Sequence, residues 1–297
     1  MNAKADPAAR RAAIAEGHPE PVGLIGWVLI GLRVSAIIAS LIVLVPLHYL
    51  FRAVRYGSPF PQAFLWLAAR IAGARVVRHG VPLKRDVFFI SNHLSWLDIL
   101  AIAGASGTAF VAKGEAADIP VIGWLCRINR TIFVSRENRA GVAAQINSLR
   151  EALADNWSIT VFPEGTTTDG QSLLPFKTSL LRVLEPPPPG VLVQPILLDY
   201  GPHAEWIGWT GDESGLNNGF RVLKRWGRFT LHVHFLDPFD PASHPGRKAI
   251  AAESRSRIEA ALIAALGKPL RPFAHDVSAI GFAASKAEGL DSPAEPL

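Results

Sequence analysis

The chain has 297 residues, enough for one large domain with appendages. Hydrophobic residues make up 49% and mean hydropathy is +0.23, apolar enough that a membrane element must be sought. A net charge of +5 and a pI near 9.6 suit anionic lipid surfaces, phosphorylated substrates or nucleic acid, while the single cysteine, Cys126, excludes an internal disulfide and a thiolate metal cluster.

Residues 1–22 are Ala-rich, charged and without periodicity, and read as a flexible tail. Residues 23–56 read as a membrane-anchoring segment. Within them residues 34–51 hold no Asp, Glu, Lys or Arg, and at ~1.5 Å per residue they span roughly 27 Å, close to the ~30 Å hydrocarbon core. Arg33 and Pro46 weaken a clean span, so a re-entrant or interfacial helix is the second reading and a cleaved signal peptide the third. Arg52 and Arg55 follow at once, which by the positive-inside rule places the next domain on the cytoplasmic side of the inner membrane.

Residues 57–273 read as the main domain. Phe64, Leu67 and Ile71 recur at helical spacing, on a helix that packs on this domain or lies on the membrane surface. Strand candidates then fall at 87–90, 108–112, 132–134, 159–162, 191–197 and 229–235, and helix candidates at 99–104, 119–126, 140–154, 177–184 and 248–266. The alternation predicts an α/β fold, a mixed and largely parallel sheet flanked by helices, behind the N-terminal membrane helix. Residues 201–225 read as irregular. Residues 274–297 have few order signals and read as a disordered C-terminal tail.

The stretch Ser91-Asn92-His93-Leu94-Ser95-Trp96-Leu97-Asp98 sits where the first strand candidate turns into a helix. A neutral imidazole can take a proton from a hydroxyl near pH 7, and a carboxylate on its other nitrogen fixes the tautomer. Five residues apart on one helix, His93 and Asp98 would stand roughly 140° apart, so they meet only if the backbone turns between them. The plainer account makes Ser95 an N-cap and Asp98 an acidic first-turn residue. Phe162-Pro163-Glu164-Gly165-Thr166-Thr167-Thr168 also follows a strand, and its glycine can turn tightly to aim backbone N–H groups at an anion, unless it is an ordinary turn. Phe133-Val134-Ser135-Arg136 ends a strand in a guanidinium suited to phosphate, and Lys113 ends another.

Taken in order, Asn92-His93-x-x-x-x-Asp98, Phe133-x-x-Arg136, Phe162-Pro163-Glu164-Gly165-Thr166 and the apolar run into Pro195 resemble the four motifs of the glycerolipid acyltransferase family, typified by the 1-acyl-glycerol-3-phosphate acyltransferases. The resemblance implies transfer of an acyl chain from acyl-CoA or acyl carrier protein to a lysolipid hydroxyl, with His93 as general base oriented by Asp98. It implies that Asn92, Lys113, Arg136, Glu164, Gly165, Thr166 and Lys177 bind substrate, and that neither metal nor cofactor is required. Membrane lipids and the lysolipid are the expected partners, 1-acyl-sn-glycerol-3-phosphate the first expected acceptor and phosphatidic acid its product.

Two positions depart from the family pattern: Arg130 stands where a glycine is usual, and Thr167 where an arginine associated with the acceptor phosphate is usual. Some bacterial relatives acylate lyso-ornithine lipid, and a Thr-rich third motif fits that acceptor. Among competing readings, a serine hydrolase lacks its Gly-x-Ser-x-Gly elbow, and nucleic-acid binding lacks a basic stripe with interleaved aromatics. His232, His234 and Asp237 are the one metal-type grouping that strand spacing offers, and no metal is expected there. An inactive lipid-binding protein on the same frame is the remaining alternative.

Overall fold

The computed structural model describes residues 7–55, 57–134, 147, 149–153 and 158–273. Seven strands form the sheet: β1 (Ala74–His79), β2 (Val87–Ser91), β3 (Ala109–Lys113), β4 (Ile132–Val134), β5 (Ser158–Val161), β6 (Leu192–Asp199) and β7 (Phe229–Phe235), in the spatial order β1-β7-β6-β2-β5-β3-β4. Every neighbouring pair is parallel except β6 with β7. The helices are α1 (Pro7–Ala15), α2 (Leu24–Val54), α3 (Phe60–Ile71), α4 (Leu97–Ser106), α5 (Pro120–Ile128), α6 (Ala204–Ile207), α7 (Gly215–Leu223) and α8 (Gly246–Leu266). The mixed, largely parallel α/β sheet expected from the alternation is the fold observed.

β2 explains why. Its Val-Phe-Phe-Ile-Ser run is buried at every position, because it has a parallel strand on each side and cover on each face. Val87 and Phe89 join the core formed with α3 and α4, including Ala69, Leu97 and Ile102. Phe88 and Ile90 point the other way, into the core formed with Leu149, Leu153 and the Ile258 face of α8. α3 crosses α4 at Gly104, where a Cβ would come within 2.8 Å of Trp66 Cα. Backbone-to-backbone contact this close requires glycine.

α2 runs unbroken for 31 residues with Pro46 inside it, and is long and apolar enough to cross a membrane. Along it only Ile30, Ser40 and His48 are buried. Arg33, the residue that weakens a clean span, has a specific use. Its Nη1 donates to the carbonyls of Ala72 at 3.1 Å, Val222 at 3.3 Å and Leu223 at 3.1 Å, and Nη2 donates to Gly227 O at 3.3 Å. Ala72 caps α3 and Leu223 ends α7, so one guanidinium satisfies orphan carbonyls at the negative ends of two helix dipoles. It thereby pins α2 to the domain.

Several expectations are corrected. β1 was not foreseen, because Ala-Arg-Val-Val-Arg-His carries too much charge to read as a strand; such charge is what a sheet edge tolerates. Residues 177–184 are not an α-helix but yield a single 3₁₀ turn, Leu180–Leu184, ended by the following prolines. Residues 201–225 are not irregular: they carry α6 and α7, and Ser214 caps α7 by accepting from Asn217 N–H at 3.2 Å. Glu213, which reads as part of a loop, is buried and paired with Arg221 through Nε at 2.8 Å and Nη2 at 2.7 Å. Most of 140–154 lies outside the described residues. Within the N-terminal stretch read as a tail, α1 docks on this same region, its Ala15 carbonyl accepting from Asp212 N–H at 2.7 Å.

Candidate active site

β2, β5 and β6 are adjacent and parallel, so their carboxyl ends open on one edge of the sheet. His93 follows β2, the Phe162–Thr168 loop follows β5, and Tyr200 follows β6. That edge is where open α/β sheets gather side chains without breaking the ladder.

The chain turns between β2 and α4, and the turn brings His93 and Asp98 together: Nδ1 lies 2.7 Å from Asp98 Oδ2. The same Oδ2 accepts from the N–H groups of Leu94 at 2.6 Å and Ser95 at 2.9 Å, while Oδ1 accepts from Tyr200 OH at 2.5 Å. Asp98 is fully buried in the first turn of α4. A carboxylate only accepts, so Nδ1 carries the imidazole proton and Nε2 keeps its lone pair for an incoming group. The capping account survives in part. The N-cap position is Trp96, not Ser95, and Ser95 Oγ makes only a 3.4 Å contact with Leu97 N–H. Asp98 meanwhile reaches back to the turn as an acidic first-turn residue does. One carboxylate thus both shapes the turn and orients the histidine.

The histidine is held from three further directions. Its ring stacks on Phe162, with centroids 4.0 Å apart and planes at 14°. Its backbone N–H donates to Glu164 Oε1 at 2.8 Å. Its carbonyl accepts from Thr168 N–H at 2.8 Å and from the Thr168 hydroxyl at 3.3 Å. Glu164 is fully buried, and its other oxygen accepts from Leu174 N–H at 2.9 Å. Burial pushes the Glu164 carboxyl up to about 8, with the nearby Asp98 charge acting the same way and the two backbone donors opposing. Burial and Asp98 hold the Tyr200 hydroxyl well above the usual phenol range, so it stays a donor to Asp98.

Two of the residues expected at the acceptor spend their polar atoms on backbone. Asn92 is buried and spends its amide on β6, donating to Leu198 O at 3.0 Å and accepting from Leu198 N–H at 2.8 Å. Glu164 likewise holds backbone rather than facing outward. Gly165 has φ +71°, and an added Cβ would lie 3.0 Å from Lys177 Nζ, so the Lys177 side chain crosses the turn. Thr166 is half-buried at the same turn. Thr167 is buried, its hydroxyl bonded to Trp209 O. Lys113 ends β3, but its side chain lies outside the described residues, as does Arg136 altogether. Two residues with structural claims on the site, Thr168 and Tyr200, were not singled out from sequence. Tyr200 directly follows a buried strand, which was a usable signal; Thr168 contributes mainly its backbone, which carries none.

The family model described as Acyltransferase matches residues 71–199, the span holding β1 through β6. The chain is 32% identical over 264 residues to the lyso-ornithine lipid O-acyltransferase of Brucella abortus (strain 2308), covering 82% of this chain and 97% of that protein. It is 34% identical over 116 residues to the 1-acyl-sn-glycerol-3-phosphate acyltransferase of Neisseria gonorrhoeae, covering 39% of this chain and 46% of that protein. The crystal structure of the 1-acyl-sn-glycerophosphate acyltransferase PlsC from Thermotoga maritima superposes with a TM-score of 0.57 at 22% identity, over 79% of this chain and 94% of that one, and shares the fold. A near full-length relative, a matching domain model and a shared fold give one answer: the chain is an O-acyltransferase and belongs to the acyltransferase family.

Proposed function

We propose that this enzyme esterifies the free hydroxyl of lyso-ornithine lipid, taking the acyl chain from acyl-CoA or acyl carrier protein. Nε2 of His93 removes the hydroxyl proton as the oxygen attacks the thioester carbonyl. The tetrahedral adduct collapses, the C–S bond breaks, and the imidazolium returns its proton to the departing thiolate. Asp98 keeps the ring in the productive tautomer and balances the imidazolium charge. General-base help of this kind is typically worth ~10²–10⁴-fold. The observation that carries the reading is the 2.7 Å His93–Asp98 pair, on a ring that Phe162 covers and that stays partly exposed.

For the acceptor, the carrying observation is Thr167. At the position where a phosphate-binding arginine is usual stands a buried hydroxyl committed to Trp209 O. It offers no cation to a phosphate. The near full-length relative from Brucella abortus is named for lyso-ornithine lipid, whose head group has a carboxylate and an ammonium in place of a phosphate. Lys177, crossing Gly165, supplies positive charge for that carboxylate together with Arg136 and Lys113, and Thr166 faces the same group. The second reading keeps 1-acyl-sn-glycerol-3-phosphate as acceptor, with those same cations binding its phosphate. α2 holds the enzyme in the inner membrane, and Arg52 and Arg55 keep the domain on the cytoplasmic face.

The test is acyl transfer by the full chain in membranes, with both lysolipids offered side by side and His93→Ala as control. Transfer to lyso-ornithine lipid alone, lost in the variant, is the expected result. His93-dependent transfer to the phosphate acceptor alone overturns the acceptor assignment, and transfer that survives His93→Ala overturns the mechanism.

A further inference from the structure

β1 and β7 pair in parallel, with Val77 opposite His232 and His79 opposite His234. Along β7 the burial alternates, so His232 and His234 stand together on the outer face while Leu231 and Val233 enter the core. His79 joins them from the neighbouring strand. Its ring stacks on His234 with centroids 4.3 Å apart and planes at 12°, and its Nε2 lies 2.8 Å from His232 Nδ1. One ring nitrogen from each residue falls within 4.8 Å of the others. The grouping differs from the one strand spacing offered: the third member is His79, not Asp237.

We propose that His79, His232 and His234 form a binding site for a late first-row divalent cation, Zn²⁺ above all, separate from the acyl-transfer site. Three neutral imidazoles are a donor set for Zn²⁺, Cu²⁺ or Ni²⁺, and a poor one for Mg²⁺ or Ca²⁺, which take oxygen ligands. Tetrahedral Zn²⁺ with bonds of about 2.0–2.1 Å sets its ligand nitrogens about 3.3 Å apart, within reach of small ring rotations from the positions seen. Where two ring nitrogens now share a proton at 2.8 Å, the cation replaces that proton and engages the third ring as well. A fourth position remains for water or for Asp199, which lies opposite His232 on β6 and shares its face. The site would staple the edge strand β1 to β7. Among the described residues strand β1 has no other neighbour in the sheet, so the staple adds most where the ladder is weakest.

The experiment uses the untagged full chain in detergent, stripped with chelator and titrated with Zn²⁺ by calorimetry. One Zn²⁺ per chain is expected, with no comparable uptake of Mg²⁺. His79→Ala and His234→Ala should each weaken binding at least ~10-fold, whereas His244→Ala, a half-buried histidine outside the group, should leave it unchanged. Zn²⁺ should raise the melting temperature of the parent and not that of His79→Ala. His79 is exposed, so the variant is expected to keep the parent's acyl-transfer rate, which checks its folding. Absence of stoichiometric uptake by the parent, or uptake by an active His79→Ala variant equal to the parent's, overturns the proposal.

Discussion

Glu164→Gln separates what burial does to this carboxyl from what its hydrogen bonds do. In the folded chain the group is pushed up to about 8 from an ordinary value of 4.5, chiefly by burial. Between those values the unfolded chain has lost the proton and the folded chain still holds it. Stability therefore is fully present below about pH 4.5 and falls as pH rises toward 8, at ~1.4 kcal/mol per pH unit and ~5 kcal/mol in all. Glutamine does not titrate, so the variant lacks this slope. It has a fixed cost instead: Glu164 accepts from both His93 N–H and Leu174 N–H, and glutamine can accept only one of them, facing the other with an amide donor. That costs ~1–3 kcal/mol. The parent is thus the more stable near pH 5, the curves cross between about pH 5 and 7, and the variant leads by pH 8. Across pH 5–8 the parent loses ~4 kcal/mol relative to the variant, or about 10 °C of melting temperature. Tryptophan-fluorescence melts of both proteins in one detergent, at half-unit pH steps, read this directly. Titrating groups not coupled to Glu164 cancel in the difference. A gap between parent and variant that stays constant from pH 5 to 8 would refute the reasoning, since Glu164 would then be ionised throughout.

Asp98→Asn should lower kcat by ~10²–10⁴ with little change in KM, because it disturbs the tautomer and charge of the base rather than the acceptor's seat; steady-state acyl-transfer kinetics in detergent–lipid micelles check it. Tyr200→Phe leaves Asp98 Oδ1 without its hydroxyl donor in a buried site, so a loss of ~1–3 kcal/mol in thermal stability is expected. Arg33→Leu removes donors from four backbone carbonyls while making α2 more apolar. It should stay in the membrane fraction, melt several degrees lower, and become more readily cleaved between α2 and the domain on limited proteolysis. Gly104→Leu forces a side chain into the Trp66 backbone and should cost more than 2 kcal/mol, read as loss of the folded chain from membranes.

What could be read from the sequence was what residues declare individually. The apolar run of β2, the alternation of β7 and the length of α2 each mark an element without help from the rest of the chain. His93 and Asp98 were legible because a strand-to-helix turn is a local event, five residues long. The misses at β1, Asn92, Glu164 and Arg33 are relational. β1 looks polar because it is an edge, and its edge position depends on β7, which lies about 150 residues further on. Asn92 and Glu164 looked like groups for a ligand because buried polar side chains and site polar side chains have the same composition. Only the positions of Leu198, Leu174 and the His93 backbone distinguish them. Arg33 appeared as a defect in a membrane helix until the carbonyls of two other helices were seen around it.

The double backbone grip on His93 has a further consequence. Glu164 takes its N–H and Thr168 takes its carbonyl, so the loop is anchored to the base at two points with Gly165, Thr166 and Thr167 strung between them. Thr166 and Thr167 can change identity without moving the imidazole, provided the turn at Gly165 is kept. On the proposed mechanism, proton transfer and head-group choice are then mechanically uncoupled within a single five-residue span. A lineage could exchange one acceptor for another by rewriting the middle of the loop, each intermediate retaining a working base.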